Sequence, residues 1–194
     1  MAVIRIATRG SEQAMTQATA VADELAANGA ETRLVVVETE GDRTQRAGTP
    51  LHTIGGQGVF VKEIQRAVLD GRADLAVHSA KDVPSITEEG LTLGAFMRRR
   101  SPADALVGRS LAELEQGATV ATGSVRRRAQ LRRARPDLTF AELRGNIPSR
   151  LGKIPDGGSV VIAVAALEIL GCTDLIAQVL DPAEFVPAPG QGCV

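Results

Sequence analysis

Short apolar runs and longer amphipathic stretches alternate along this chain, and each pair reads as a strand followed by a helix. VIRIAT (Val3–Thr8) is a strand, and Ser11–Asn28 a helix with Ser11 as N-cap and Gly29 as its stop. TRLVVVE (Thr32–Glu38) is a second strand, and residues 40–58, polar and Gly-rich, read as a long loop. VFVKEIQRAVLDG (Val59–Gly71) has helical spacing and ends on Gly. DLAV, from Asp74, reads as a short buried strand and LTLGAFM (Leu91–Met97) as another. A second set opens at DALVG (Asp104–Gly108), which is strand-like. SLAELEQG follows as a short helix in which Ser110 and Glu113 have capping-box spacing. ATVAT (Ala118–Thr122) is a strand, SVRRRAQLRRARP a helix from Ser124 that stops before Pro136, and LTFAEL a strand. NIPSRLGKI starts a helix, and SVVIAV (Ser159–Val164) is a strand running into the helical AALEILG. No internal repeat or low-complexity segment interrupts this order. Alternation of β and α predicts an α/β protein with parallel sheets and helices on both faces.

Composition narrows the class. At 194 residues and 44% apolar the chain is long enough for one or two domains with buried cores. No run approaches the ~18 apolar residues of a membrane span. MAVIRIATRG lacks the cationic start and apolar stretch of a signal peptide, so a soluble cytoplasmic protein is expected. Two cysteines, Cys172 and Cys193, make no disulfide framework. With no Trp, no Tyr and four Phe, platforms for stacking bases are scarce. His52 and His78 lack ligand spacing, so no metal site is expected.

The net charge of −1 conceals an asymmetry. From Arg98 to Arg150 there are twelve Arg and five Asp or Glu, a local net of +7, and every cation is Arg, the residue for bidentate grip on carboxylate or phosphate. The bland reading of such a run is a solvated charged face. The shift near Arg98 suggests two lobes.

Four junctions give the charge a purpose. At each a strand ends and a cation follows with a small hydroxyl or amide residue: IATRGS (Arg9, Ser11), AVHSAKD (Ser79, Lys81), ATGSVRR (Thr122, Ser124, Arg126, Arg127) and LRGNIPSR (Arg144, Asn146, Arg150). Helix N-termini offer unsatisfied N–H groups to anions, and open α/β sheets bind ligands beyond the carboxyl ends of their strands. The four junctions are therefore expected to face one cleft. Arg126, Arg127 and Arg128 oppose the dipole of their own helix, at about 0.3–1 kcal/mol each when exposed, and a bound anion reverses that sign. The alternative is pairing with nearby carboxylates or plain solvation. Asp82 is the odd member. It has three available roles: to neutralise Lys81, to accept an N–H of a ligand, or to stabilise positive charge formed in a reaction.

IATRGS, GGQGVFVKE, DLAVHSAKDVP, ATGSVRRRAQL, ELRGNIPSRL and VPAPGQG, in that order from Val3 to the last residue, resemble the porphobilinogen deaminase (hydroxymethylbilane synthase) family. The resemblance implies a transferase of heme and tetrapyrrole biosynthesis. It condenses four porphobilinogen units with loss of ammonia, through an electrophilic azafulvene, into a linear tetrapyrrole. Each ring brings two carboxylates, which suits an Arg-rich cleft. Asp82 stands at the catalytic aspartate's place. Ser79 and Lys81 match side chains that bind there. Arg9, Ser11, Thr122, Ser124, Arg126, Arg127, Arg144 and Arg150 match binders of cofactor or substrate carboxylates, with Asn146 in the same motif. Phe60 matches a phenylalanine near the mouth, and Gln17 and Gln191 match polar positions facing the cleft. The implied cofactor is dipyrromethane, the implied partners porphobilinogen and the growing oligopyrrole, with no nucleic acid, no membrane and a monomeric protein. The implied fold has two lobes like those of type II periplasmic binding proteins, with mixed sheets, helices on both faces and a hinge. Residues 1–96 would form the lobe with the catalytic aspartate, 97–187 the Arg-rich lobe, and 188–194 the start of a return crossing.

The sequence departs from the family in places. The family continues into a third domain whose cysteine carries the cofactor. Neither Cys172 nor Cys193 matches it, so a fragment is expected. Gln57 replaces a common lysine, Ile169 a common arginine and Ala166 a usual glycine. Two rivals share these features: a non-catalytic two-lobed anion-binding module or degenerate relative, and a nucleic-acid binder using Arg126–Arg135.

Overall fold

The computed structural model describes residues 2–39 and 61–194. The loop expected over 40–58, with His52 and Gln57, and Phe60 lie outside the described residues. The chain divides into two compact units, Met1–Arg99 with Cys193–Val194, and Arg100–Gly192.

The first unit holds a parallel sheet in the order β2-β1-β3, formed by β1 (Val3–Thr8), β2 (Glu31–Val36) and β3 (Leu75–Ala76). Side chains alternate across a strand, and β1 shows the consequence. Ile6 packs with Ala18 of helix α1 (Glu12–Ala27), while its neighbour Ala7 packs with Ile64 and Ala67 of helix α2 (Lys62–Leu69). One strand thus anchors a helix on each face. Arg5 ties the amino ends of β1 and β3 together. Its Nη2 donates to Asp74 Oδ1 at 2.7 Å and its Nη1 to the Gly71 carbonyl at 2.7 Å. The Arg5 hydrogen bonds hold the Asp74 carboxyl down to about 2.

The second unit is a five-stranded sheet in the order β6-β5-β7-β4-β8. Its strands are β4 (Asp104–Val107), β5 (Thr119–Ala121), β6 (Thr139–Ala141), β7 (Ser159–Ala163) and β8 (Ile176–Leu180). Period-2 alternation again sorts the core. Ala105, Val107, Ala121, Val160 and Ile162 face Ile147 of helix α4 (Ile147–Leu151) and Leu167 of helix α5 (Val164–Ile169). Leu106, Val120, Val161 and Leu180 face Leu131 of helix α3 (Val125–Ala134).

The structure corrects three details. The sheet of the second unit is not all parallel: β4 runs antiparallel to both β7 and β8. Ser110–Gly117 forms turns rather than a helix. Its capping-box residues still meet, because Glu113 Oε2 accepts both the backbone N–H and the hydroxyl of Ser110, at 2.9 and 2.7 Å. Leu91–Met97 joins no strand ladder among the described residues. Its backbone bonds are a local turn, Leu91 N–H to the Glu88 carbonyl at 3.1 Å, and Met97 N–H to the Val194 carbonyl at 2.9 Å, and Leu93 and Phe96 are exposed.

Strand β8 escaped the sequence reading because its pattern is inverted. Its inward positions are Ile176, Gln178 and Leu180, while apolar Val179 points outward, half exposed. Gln178 is tolerated inside because its Oε1 accepts the Leu111 N–H at 2.8 Å.

Candidate functional site

In the first unit the register places the carboxyl ends of β1 and β3 side by side, Ala7 opposite Ala76. Arg9 and Ser11 leave one strand there and His78 and Ser79 the other. Ser11 is the N-cap of α1 and its Oγ accepts the Ala14 N–H at 3.4 Å. Gln17, one turn further along α1 and 8% exposed, reaches across to Ser79 Oγ at 2.9 Å. Ser79 in turn precedes a short 3-10 turn, Ala80–Asp82, and the Ala80 N–H is fixed by the Cys193 carbonyl at 3.0 Å. The Gln17–Ser79 bond therefore sets where the turn begins, and the turn presents Lys81 half-buried and Asp82 exposed. Beside them His78 is half-buried, with Nε2 buried and lacking a hydrogen-bond partner. Burial first, and the Arg9 charge second, push its pKa down to about 4, so the imidazole is neutral near pH 7.

In the second unit β5 and β6 are parallel neighbours, Ala121 opposite Ala141, so the third and fourth junctions also leave adjacent strand ends. Thr122, 1% exposed, accepts the Ser124 N–H at 3.2 Å, and Ser124 caps α3 by accepting the Arg127 N–H at 3.4 Å. Asn146 caps α4 by accepting the Ser149 N–H at 3.0 Å. The turn before it needs Gly145, whose φ is +121° and where a Cβ would lie 2.6 Å from Ser149 Oγ. Arg150 Nε donates back to the Gly145 carbonyl at 2.8 Å, and Arg144 Nη1 is buried with no partner.

The small polar residues at three junctions are thus N-caps before they are anything else. That accounts for their position without a ligand, but a capping hydroxyl retains its own proton to donate.

Sequence reasoning missed one residue at this edge. Because β4 is antiparallel, its first residue, Asp104, lies where β7 ends, opposite Ala163. Asp104 is 1% exposed and takes Arg127 Nη2 on Oδ1 at 2.6 Å, Arg126 Nη2 on Oδ2 at 2.8 Å and Gln191 Nε2 on Oδ1 at 2.8 Å. Burial pushes its carboxyl up, but the hydrogen bonds and charge of Arg127, then bonds from Arg126 and Gln191, outweigh burial and hold it below the usual range. Arg126 Nη1 also donates to the Val186 carbonyl. Arg128 pairs with Glu142 at 2.6 Å. The conflict of three arginines with the α3 dipole is therefore relieved within the protein by carboxylates. Donor capacity remains: Arg127 Nε is buried and unpartnered. Gln191 does not present a free amide, since it is 1% exposed and its Nε2 also donates to the Pro102 carbonyl at 2.6 Å. The signal that could have found Asp104 is an acid opening the otherwise apolar strand DALV.

Comparison with known proteins bears on what these two clusters serve. The family model described as "Porphobilinogen deaminase, dipyromethane cofactor binding domain" matches residues 4–194. The chain belongs to the porphobilinogen deaminase family. A porphobilinogen deaminase of Syntrophobacter fumaroxidans is 45% identical over 99% of this chain, and one of Xanthomonas axonopodis pv. citri is 47% identical over 100% of it. The chain spans 64% and 66% of the length of those two relatives. The VFT2 domain of Bordetella pertussis BvgS is 19% identical with a TM-score of 0.42, over 92% of this chain and 76% of that one.

The family's domain is described by its dipyrromethane cofactor. The donors within the second unit suit carboxylates: arginines follow the ends of β5 and β6, and buried donor atoms of Arg127 and Arg144 are unmatched. Cys172 Sγ donates to the Leu170 carbonyl at 3.3 Å, a local contact inside the second unit. No helix among the described residues is long and apolar enough to cross a membrane.

Proposed function

We propose that this chain supplies the substrate- and cofactor-gripping portion of a hydroxymethylbilane synthase, which condenses porphobilinogen units with loss of ammonia. What carries the reading is the match to porphobilinogen deaminases along the whole chain. In the reaction the C–N bond of the aminomethyl group breaks and ammonia leaves. A C–C bond then forms from that carbon to the free α-carbon of the preceding pyrrole, which gives up its proton. Dipyrromethane, when bound, supplies carboxylate-bearing pyrrole rings with a free α-carbon.

On this reading Asp82 carries the chemistry. Its carboxylate is exposed on a turn fixed by Ser79 and Cys193, so it can meet the ring nitrogens of a substrate. There it stabilises positive charge as ammonia departs and takes up the α-proton. Arg9, Ser11, Lys81, Arg127, Arg144 and Arg150 receive acetate and propionate groups, with Thr122, Ser124 and Asn146 holding the strand ends in place. Arg126 combines that task with its bond to Val186. The cysteine that bears the cofactor falls in the part of the relatives' length that this chain does not span. The ligands are small polycarboxylates rather than nucleic acid, and the protein works as a cytoplasmic monomer.

The test is porphobilinogen consumption and ammonia release by the full protein that carries this chain, compared with its Asp82→Asn variant. Turnover by the parent and a loss of at least about a hundredfold in the variant are expected. A parent that holds dipyrromethane and does not turn over porphobilinogen sinks the assignment. A variant close to the parent removes Asp82 from the chemistry.

A further inference from the structure

Asp104 is an acid at the edge where this reading needs cations. Its carboxylate is not at the surface, where it could swing away: the side chain is 2% exposed and both oxygens are engaged. Three long side chains from two distant stretches of sequence converge on it, two from the first turn of α3 and one from Gln191. A guanidinium that gives Nη2 to one fixed oxygen keeps its other N–H vectors in a defined plane. Arg127 is held a second time, Nη1 to the Val161 carbonyl at 3.1 Å, which leaves Nε as its one buried donor without a partner. Gln191 is fixed in turn by the Pro102 and Ala103 carbonyls, at 2.6 and 3.3 Å. The network is closed on the protein side.

We propose that Asp104 is a positioning residue: its buried carboxylate, braced by Gln191, aims the guanidinium groups of Arg126 and Arg127 at the carboxylate of a ligand. This rests on the reading above, that the α3 end grips carboxylates. Electrostatics alone argues the other way. A fixed negative charge beside two arginines weakens their pull on any anion, so a purely electrostatic Asp104 would make binding tighter when removed. Positioning makes binding weaker when it is removed. The two roles differ in sign.

The experiment uses the full protein that carries this chain with Asp104→Asn, which keeps the shape and removes the charge, and Asp104→Glu, which keeps the charge and moves it by one methylene. Three quantities are read on folded protein: dipyrromethane content by its colour with an acidic aldehyde reagent, KM against kcat for porphobilinogen, and the citrate concentration that half-saturates the rise in unfolding temperature at constant ionic strength. Expected for Asp104→Asn are lower dipyrromethane content, a KM and a citrate half-saturation raised by roughly ten- to a hundredfold, and a kcat changed far less, since Asp82 is untouched. Asp104→Glu falls between. Unchanged or tighter citrate binding and an unchanged KM overturn the proposal, whatever the unfolding temperature. Should Asp104→Asn fail to fold, the KM of Asp104→Glu decides: raised supports the proposal, unchanged overturns it. A parent that shows no turnover defeats the functional reading alone, and the citrate comparison still decides the role of Asp104.

Discussion

Arg127 donates through Nη2 to Asp104 Oδ1 at 2.6 Å, and the two side chains are 11% and 2% exposed. The pair is not symmetric. Asp104 is also bonded by Arg126 and Gln191, whereas Arg127 has one carboxylate and the Val161 carbonyl. Removing a partner of a buried pair costs chiefly through the charge left behind. Asp104→Ala leaves two guanidinium groups uncompensated and should cost about 3–5 kcal/mol. Arg127→Met leaves a carboxylate still held by Arg126 and Gln191, so the loss should be smaller, about 1–3 kcal/mol. Urea unfolding of both variants checks the order. The reverse order would mean that Arg127, not Asp104, holds the network together.

Ser124 separates capping from ligand binding. Its Oγ accepts the Arg127 N–H, and α3 begins with three arginines and no acid. Aspartate caps as well as serine, and a negative charge at a helix N-terminus adds about 0.3–1 kcal/mol. Ser124→Asp should therefore leave the fold as stable or slightly more so. On the proposed function the same charge repels a carboxylate arriving at that end, so KM for porphobilinogen should rise while unfolding stability holds. Equal KM values in parent and variant would show that the α3 end serves the fold alone.

What could be read from sequence divides along physical lines. The helix starts at Ser11, Ser124 and Asn146 were legible because capping is local: the oxygen that accepts and the N–H that donates lie three residues apart. The strands of the two cores other than β8 were legible from their apolar runs. Asp104 was not, because its partners lie 22, 23 and 87 positions away and meet it only through the reversed direction of β4. For Gln191 the resemblance implies a position facing the cleft, and nothing local announces the carbonyls of Pro102 and Ala103 that its amide nitrogen meets. Leu91–Met97 carried the pattern of a strand, but a strand also needs an edge to pair with, and that is a property of the sheet rather than of the segment.

His78 gives the first unit a dependence on pH. Its pKa falls from 6.5 to about 4 on folding, through burial and then the Arg9 charge. The native state therefore favours the neutral ring. Above pH 6.5 both states are neutral and the stabilisation is complete. As the pH falls below 6.5 the unfolded chain takes up a proton that the native state refuses, and stability declines until native His78 also protonates near pH 4. The loss should approach roughly 2–3 kcal/mol across that window. His78→Phe removes the titration. The difference in urea stability between parent and variant should shift steadily against the parent from pH 6.5 to 4 and stay constant from pH 7 to 8. A difference that does not change with pH would show that the ring protonates as readily in the folded protein as in the unfolded chain. The packing around His78 Nε2 would then have to open to water at little cost, and the neighbouring turn that presents Asp82 would be looser than its bonds to Ser79 and Cys193 imply.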